Sequence, residues 1–395
     1  MVELRDNTEE ADFRAQVRSF LTENYYDLPV RPKPFDMEGT GQRDPLMEQW
    51  RMALSARGWL APHWPKEYGG AGLSVTEQFV FNEEMATARA PLAGSYHGLS
   101  LIGPIIIIHG SEEQKKQHLP RITSGEVIWC QGYSEPGAGS DLAAVQTRAV
   151  RDGDEYILNG QKIWTSGAHN ADWMFVLART DPAAPKHRGI SMFLVDMKSP
   201  GLSVRKMRNM ANLYGLCEVF LEDVRVPAKN LMGEENRGWY VSASLLDFER
   251  SNISAAIGAK HSITELVTYV RERSAATGIP VDPDVRTELA DRLVESEVAR
   301  FLSYRVISLQ KRGLIPNYEA SVNKMYYSEL EQRISRTGMK IGRMYGQLTN
   351  GSAHAQMDGR FPRAYMQSVP ATIYAGSSEI QRNIIATRGL GLPRD

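Results

Sequence analysis

The apolar residues of this 395-residue chain change their spacing twice, and this change limits the folds open to it. Up to about residue 124 they recur at helical intervals, as at Phe13, Val17 and Phe20. From about 127 to 226 they alternate with polar residues in short runs, which is typical of half-buried strands. Helical spacing then returns in long segments. We therefore predict an α+β multidomain fold with an N-terminal α-helical domain, a middle antiparallel β domain and a C-terminal α-helical bundle.

Turn residues place the boundaries of these regions. Pairs and triplets of Gly, Pro, Asn and Asp separate the short strands, at 152–154, 159–160 and 199–201. The long helical patterns of the last third cover 285–311 and 318–348. We expect a helical domain over 1–125, a β domain over 126–237 and a four-helix-bundle domain over 238–395.

Composition excludes several classes of function. The chain carries 46 basic and 47 acidic residues in a mixed order, so we expect neither nucleic acid nor an anionic membrane as a partner. Cys130 and Cys217 are too few for a disulfide framework, and the eight histidines form no ligand-like pair. We predict no metal site. The charged N-terminus has no apolar stretch that could serve as a signal peptide, so we expect a cytoplasmic protein.

Three segments contain the residue types of a binding site: 133–141 (YSEPGAGSD), 160–166 (GQKIWTS) and 374–383 (YAGSSEIQRN). Taken alone, the first is what any tight turn needs, and a lone Trp in a strand usually belongs to the core. A dinucleotide-binding reading of Gly137 and Gly139 fails because Leu142 stands where the third glycine would be, and strands follow. No Gly-x-Ser-x-Gly elbow occurs, which removes the usual hydrolase signature.

Together with 65–73 (PKEYGGAGL) and 224–227 (VRVP), these segments resemble the acyl-CoA dehydrogenase family in order and spacing. The resemblance implies an FAD-dependent enzyme of fatty acid or sterol side-chain β-oxidation. Its members convert an acyl-CoA thioester to the trans-2-enoyl-CoA and pass electrons to an electron-transfer flavoprotein. It also implies a tetramer.

The resemblance assigns roles to residues of all three segments. Tyr133 and Ser134 would contact the flavin edge, Trp164 and Thr165 would flank the ring, and Ser166 would bond flavin N5. The other implied cofactor-binding residues are Gln347, Gly376, Ser377 and Ser378. The implied substrate-binding residues are Ser140, Asp247, Arg250, Tyr374 and Ala375.

The general base is the main departure from the family pattern. Many members carry a glutamate in the tail, where this chain has Ala375. Others place the glutamate on a C-terminal helix before an arginine, and Glu249 precedes Arg250 here. The resemblance thus implies Glu249 as the base that takes the α-proton while a hydride goes to flavin N5. A plain ion pair with Arg250, or a helix cap, is the alternative for Glu249.

Two further departures concern the assembly and the substrate. The Arg-x-x-Phe-Gly segment with which the family holds the adenine end of FAD is missing, and 347–351 keeps only part of a second one. A homotetramer, or a heterotetramer with a paralogous subunit that supplies these groups, is therefore expected. The small Ala375 favours a bulky, branched or cyclic acyl group. Two alternative functions stay open: a noncatalytic partner subunit, and a related flavin oxidase or monooxygenase.

Overall fold

The computed structural model describes residues 6–26, 45–91, 93–243 and 252–393. Its helices are α1 (Thr8–Leu21), α2 (Pro45–Ala56), α3 (Val75–Ala88), α4 (Gly103–His109), α5 (Glu112–Thr123), α6 (Gly238–Ala243), α7 (Ile253–Thr277), α8 (Pro283–Gln310), α9 (Tyr318–Gly342), α10 (Arg360–Ser368) and α11 (Ser378–Ile384). Its strands are β1 (Trp129–Gly132), β2 (Arg148–Asp152), β3 (Glu155–Ser166), β4 (Trp173–Arg179), β5 (Ile190–Asp196), β6 (Leu202–Met207), β7 (Leu216–Pro227) and β8 (Leu231–Met232).

The helical, β and helical order along the chain confirms the predicted fold class. The described chain forms two compact units. One comprises residues 20–74 and 91–249, with the sheet, and the other comprises 1–19, 75–90 and 250–395, with the long helices.

The sheet has the strand order β6-β7-β3-β2-β4-β5-β8, with β1 pairing to β4. Alternating side chains of these strands form one buried core, which includes Tyr156, Leu158, Phe193 and Val219. Most neighbours are antiparallel, as predicted. However, β1 runs parallel to β4, and β2 meets β4 in parallel at Arg148 and Arg179. The sheet therefore contains both parallel and antiparallel pairs, with the parallel pairs at β4. Strand periodicity alone does not reveal this.

One predicted turn was wrong. Asn159-Gly160 lies inside the long strand β3 instead of ending a strand. A register shift occurs between Leu158 and Gly160, and a side chain at Gly160 would come within 2.4 Å of the Thr147 hydroxyl. The glycine thus lies at a β-bulge, where two strands come too close for a side chain. In the sequence, such a glycine cannot be distinguished from a turn glycine.

The long helices α7, α8 and α9 pack around a second core in the other unit, with Ile263, Leu266, Leu330 and Ile334 at its centre. The predicted helix 285–311 is confirmed within two residues as α8, where the Asp282 side chain accepts the Asp284 backbone N–H at 3.0 Å. The predicted helix 318–348 ends earlier, at Gly342, and continues as a 3-10 turn to Gln347. Among the described residues, no helix is long and apolar enough to cross a membrane.

Candidate active site

The loop 133–141 follows β1 and folds back on itself. The backbone N–H of Glu135 donates to the Ala138 carbonyl, and that of Ala138 to the Glu135 carbonyl, both at 3.0 Å. The backbone N–H of Ile163 donates to the Ser134 carbonyl at 2.9 Å, which fixes the loop to β3. The motif segments around Ser134 and Ile163 are thereby brought side by side.

A buried ion pair between Lys162 of β3 and Glu135 of the loop fixes the loop to the sheet. The Lys162 ammonium is fully buried and lies 2.7 Å from a carboxylate oxygen of Glu135. It also donates to the carbonyls of Leu177, at 2.7 Å, and Tyr133, at 3.2 Å. The Glu135 carboxylate in turn accepts the backbone N–H groups of Gln146 and Thr147 at 2.6 and 2.9 Å. Every strong polar group of the pair is satisfied, as buried charges require.

Burial shifts the pKa values of both partners. Burial lowers the pKa of Lys162 to about 8, although the charge of Glu135 acts in the opposite direction. For Glu135, burial favours the neutral acid, but Lys162 and the backbone donors outweigh it and lower its pKa. Both groups are therefore charged near neutral pH. We did not predict this pair from the sequence, yet the alternation that buries Tyr156 and Leu158 also turns Lys162 inward.

Trp164 occupies an unusual backbone conformation. Lys162 pairs with Val219 and Thr165 with Cys217, so β3 holds one residue more than β7 between these positions. The bulge places Trp164 at φ 61°, and its side chain is 59% exposed. A left-handed non-glycine residue costs about 1–2 kcal/mol. A lone strand Trp is expected in the core, so the exposed side chain and left-handed backbone of Trp164 make it a candidate ligand contact.

The surroundings of Trp164 fit a planar, polar-edged ligand such as the flavin of FAD. A Cβ atom built on Gly137 or Gly139 would meet nothing within 4 Å, so protein packing does not explain these glycines. The hydroxyl of the fully buried Thr165 has no hydrogen-bond partner among the described residues. Ser134 and Ser166 are half-buried, and Ser140 is exposed. The Tyr133 ring packs edge-on against Phe175, and burial raises the pKa of its hydroxyl.

The tail segment is held by its carbonyls in the other unit. Ala375 and Gly376 have φ values of 52° and 87°, both left-handed. The Lys324 ammonium donates to the Gly376 carbonyl at 2.8 Å and to the Ala371 carbonyl at 3.1 Å, while the Gln381 amide donates to the Gly376 carbonyl at 3.3 Å. In the described part of the chain, the backbone N–H groups of Ala375 and Gly376 meet no acceptor. They are thus available to a ligand.

The remaining predicted residues divide into three groups. Ser377 caps α11 by accepting the Ile380 N–H at 3.4 Å, and the buried Ser378 hydroxyl has no partner among the described residues. Gln347 is exposed at the end of its 3-10 turn, and Tyr374 is 59% exposed. Asp247, Glu249 and Arg250 lie outside the described residues. Within the described ranges, no three His, Cys, Asp or Glu side chains converge as a metal site would need.

Comparison with known proteins identifies the family. Three family models match: acyl-CoA dehydrogenase N-terminal domain over 7–126, middle domain over 130–224 and C-terminal domain over 236–390. The acyl-CoA dehydrogenase IpdE1 of Mycobacterium tuberculosis is 36% identical over 392 residues, which cover 97% of this chain and 98% of that protein. FadE26 of the same organism is 37% identical over 346 residues, covering 85% of this chain and 86% of that protein.

Solved structures agree with this result. The structure of the Tcur3481-Tcur3483 steroid ACAD matches with a TM-score of 0.84 and 33% identity over the whole of both chains. The ChsE4-ChsE5 complex from Mycobacterium tuberculosis matches with a TM-score of 0.80 and 32% identity, again over both chains. This chain belongs to the acyl-CoA dehydrogenase family, whose members are FAD flavoproteins. The predicted family, enzyme class and cofactor are thereby confirmed.

Proposed function

We propose that this protein catalyses the α,β-dehydrogenation of an acyl-CoA thioester, with Glu249 as the base that takes the α-proton. Bound FAD supplies the acceptor for the hydride that leaves Cβ. The observation that carries the proposal is Trp164: an exposed aromatic face in a strained bulge, beside a loop fixed by a buried ion pair. Tyr133, Ser134, Thr165 and Ser166 would hold the flavin around this face.

The tail supports the second half of the reaction. The N–H groups of Ala375 and Gly376 are available donors, and their carbonyls are fixed by Lys324 and Gln381. Such preorganised donors would stabilise the negative charge that develops on a thioester oxygen when the α-proton leaves. Because Ala375 has no carboxylate, another residue must accept the α-proton. We propose Glu249, which precedes Arg250 as in the second family pattern.

We further propose that the protein works with a paralogous chain and acts on a bulky, ring-containing acyl group. Two of the similar structures are named after two chains each, the Tcur3481-Tcur3483 steroid ACAD and the ChsE4-ChsE5 complex. The small side chain of Ala375 leaves room beside the acyl chain. Electrons would pass to an electron-transfer flavoprotein. We also propose a tetrameric assembly, and that the domains of each chain cover 1–125, 126–237 and 238–395.

The test is an absorbance spectrum followed by anaerobic titration with straight, branched and steroid-type acyl-CoAs. Wild-type flavin should bleach with at least one of them. Glu249→Gln should retain flavin, but the rate at which the acyl-CoA bleaches the flavin should fall by a factor of about 100 or more, as expected when a general base is removed. Glu234→Gln, which changes an exposed glutamate nearby in the sequence, is the matched control and should behave as wild type. Equal bleaching by Glu249→Gln and wild type would reject Glu249 as the base.

A noncatalytic partner subunit is the second candidate, and Ala375 is the observation that favours it. Protein that purifies without flavin alone but acquires it when coexpressed with a paralogous chain would support this role. Rapid reoxidation of the reduced flavin by air would instead point to an oxidase or monooxygenase.

A further inference from the structure

The glutamates of α7, α8 and α9 follow a rule with one exception in the described part of the chain. Those that are half-buried lie within ion-pair distance of an arginine or lysine. The pairs are Glu265 with Arg89, Glu288 with Lys340, Glu295 with Arg333, Glu297 with Lys260, Glu319 with Arg305, and Glu329 with Arg382. The exception is Glu331, which is equally half-buried and for which the described residues provide neither an ion pair nor a hydrogen bond.

Glu331 lies on the side of α9 that faces the tail. It stands seven residues after Lys324 and four after Tyr327, so the three side chains share a helix face. Lys324 reaches the carbonyls of Ala371 and Gly376, and its ammonium lies 5.8 Å from the centre of the Tyr374 ring. Gln332, next to Glu331, donates to the Ser368 carbonyl at 3.2 Å. Glu331 is therefore aligned with the segment that ends in Tyr374 and Ala375.

The charge of Glu331 acts on two phenols, those of Tyr327 and Tyr374. Burial, and after it the charge of Glu331, raises the pKa values of Tyr327 and Tyr374. Burial also raises the pKa of Glu331 itself. All three shifts favour protonated groups, which can donate as well as accept hydrogen bonds. A cationic ligand is a poor partner for Glu331, because Lys324 already brings one positive charge to this helix face. Burial lowers the pKa of Lys324, which shows that the site disfavours positive charge.

We propose that Glu331 and Tyr374 form a recognition point for an oxygen substituent, a hydroxyl or a ketone, on the acyl group of the substrate. The inference rests on the proposed function, which places Ala375 at the thioester and beside the acyl chain, and on the family resemblance, which implies that the preceding Tyr374 also binds substrate. A half-buried carboxyl without a protein partner is hydrated in the free protein, and an acyl group that lies over it displaces this water and restores the hydrogen bond only if it carries an oxygen. The site then discriminates against acyl groups that lack the oxygen, because its polar groups would stay unpaired. Glu331 is thus a specificity-determining residue.

The experiment measures binding of three probes to the flavin-loaded protein by titration calorimetry. The probes are 3-cyclohexylpropanoyl-CoA and its ring 4-hydroxy and 4-oxo derivatives. Wild type should bind at least one oxygenated probe more tightly than the unsubstituted one. Glu331→Leu should lower that preference roughly fivefold to tenfold. Glu331→Gln keeps a donor and an acceptor and should retain most of it.

Glu329→Gln is the matched control, since Glu329 is half-buried on the same helix but paired with Arg382. Its probe preference should equal that of wild type. A wild-type protein without preference, or an unchanged preference in a folded Glu331→Leu, would overturn the proposal. Flavin reduction by the unsubstituted probe is recorded in parallel. A wild-type protein that reduces flavin normally but shows no probe preference therefore counts against the role of Glu331 alone, whereas a binding preference without any flavin reduction counts against the proposed dehydrogenation.

Discussion

The loop 133–141 and the tail 374–378 are both held by a lysine, but in different ways. Lys162 is fully buried and neutralised by Glu135, with two further carbonyls as acceptors. Lys324 is half-buried and bonds to two carbonyls, with no carboxylate in contact within the described residues. Separating a buried ion pair leaves an unpaired charge in the protein interior, whereas a half-exposed lysine can exchange its protein acceptors for water. The first arrangement favours a fixed surface and the second an adjustable one.

The largest difference should appear when each lysine is replaced. Lys162→Met leaves the Glu135 carboxylate buried without its partner, so we expect a loss of about 3–5 kcal/mol in the free energy of unfolding and loss of bound flavin. Lys324→Met removes two hydrogen bonds at a wetter place and should cost about 1–2 kcal/mol. Urea unfolding followed by tryptophan fluorescence, with flavin content measured in parallel, compares the two. Similar losses in both variants would mean that the two lysines do not differ as described.

A double variant separates the charge from the packing. Lys162→Met combined with Glu135→Gln removes both charges and should recover part of the stability lost in the single variant, because no unpaired charge stays buried. No recovery would indicate that the hydrogen bonds of Lys162 to Tyr133 and Leu177 matter more than the ion pair.

The next effect concerns Trp164, where stability and binding should change in opposite directions. Trp164→Gly relieves a left-handed conformation at an exposed side chain, so the free energy of unfolding should stay level or rise by up to about 1 kcal/mol. Loss of the aromatic face should weaken flavin binding roughly threefold to tenfold. Trp164→Phe keeps an aromatic ring and the backbone strain, and should lie close to wild type in both respects. Thermal unfolding of the apoprotein and fluorescence titration with FAD provide the two measurements. Unchanged FAD affinity in Trp164→Gly would show that this face does not contact the cofactor.

The sequence predicted regular elements well and special backbone conformations poorly. Short apolar runs bounded by turn residues located β4 and β5, although these two strands are buried on both faces instead of half-buried as predicted, and helical periodicity located α8. The parallel pairing of β1 with β4 depends on contacts distant in sequence, and periodicity contains no signal for it. The roles of Trp164 and Ala375 came from resemblance, and their left-handed backbone could not be predicted because neither residue is the glycine that marks such a conformation.

Ala375 gives the smallest expected effect and the closest comparison with Trp164. Both are non-glycine residues at positive φ, but Ala375 has no large side chain to offer a ligand. Ala375→Gly should raise the free energy of unfolding by about 0.5–1 kcal/mol, since the relief of left-handed strain exceeds the entropy that glycine loses on folding. Ala371→Gly, at a buried position in the preceding 3-10 turn, is the control and should destabilise. Because the variant keeps both backbone N–H groups, the rate of flavin reduction by a given acyl-CoA should change less than the stability. A fall in melting temperature for Ala375→Gly would mean that the methyl group packs usefully, and a large fall in reduction rate would mean that the tail needs alanine to hold its two N–H groups in place.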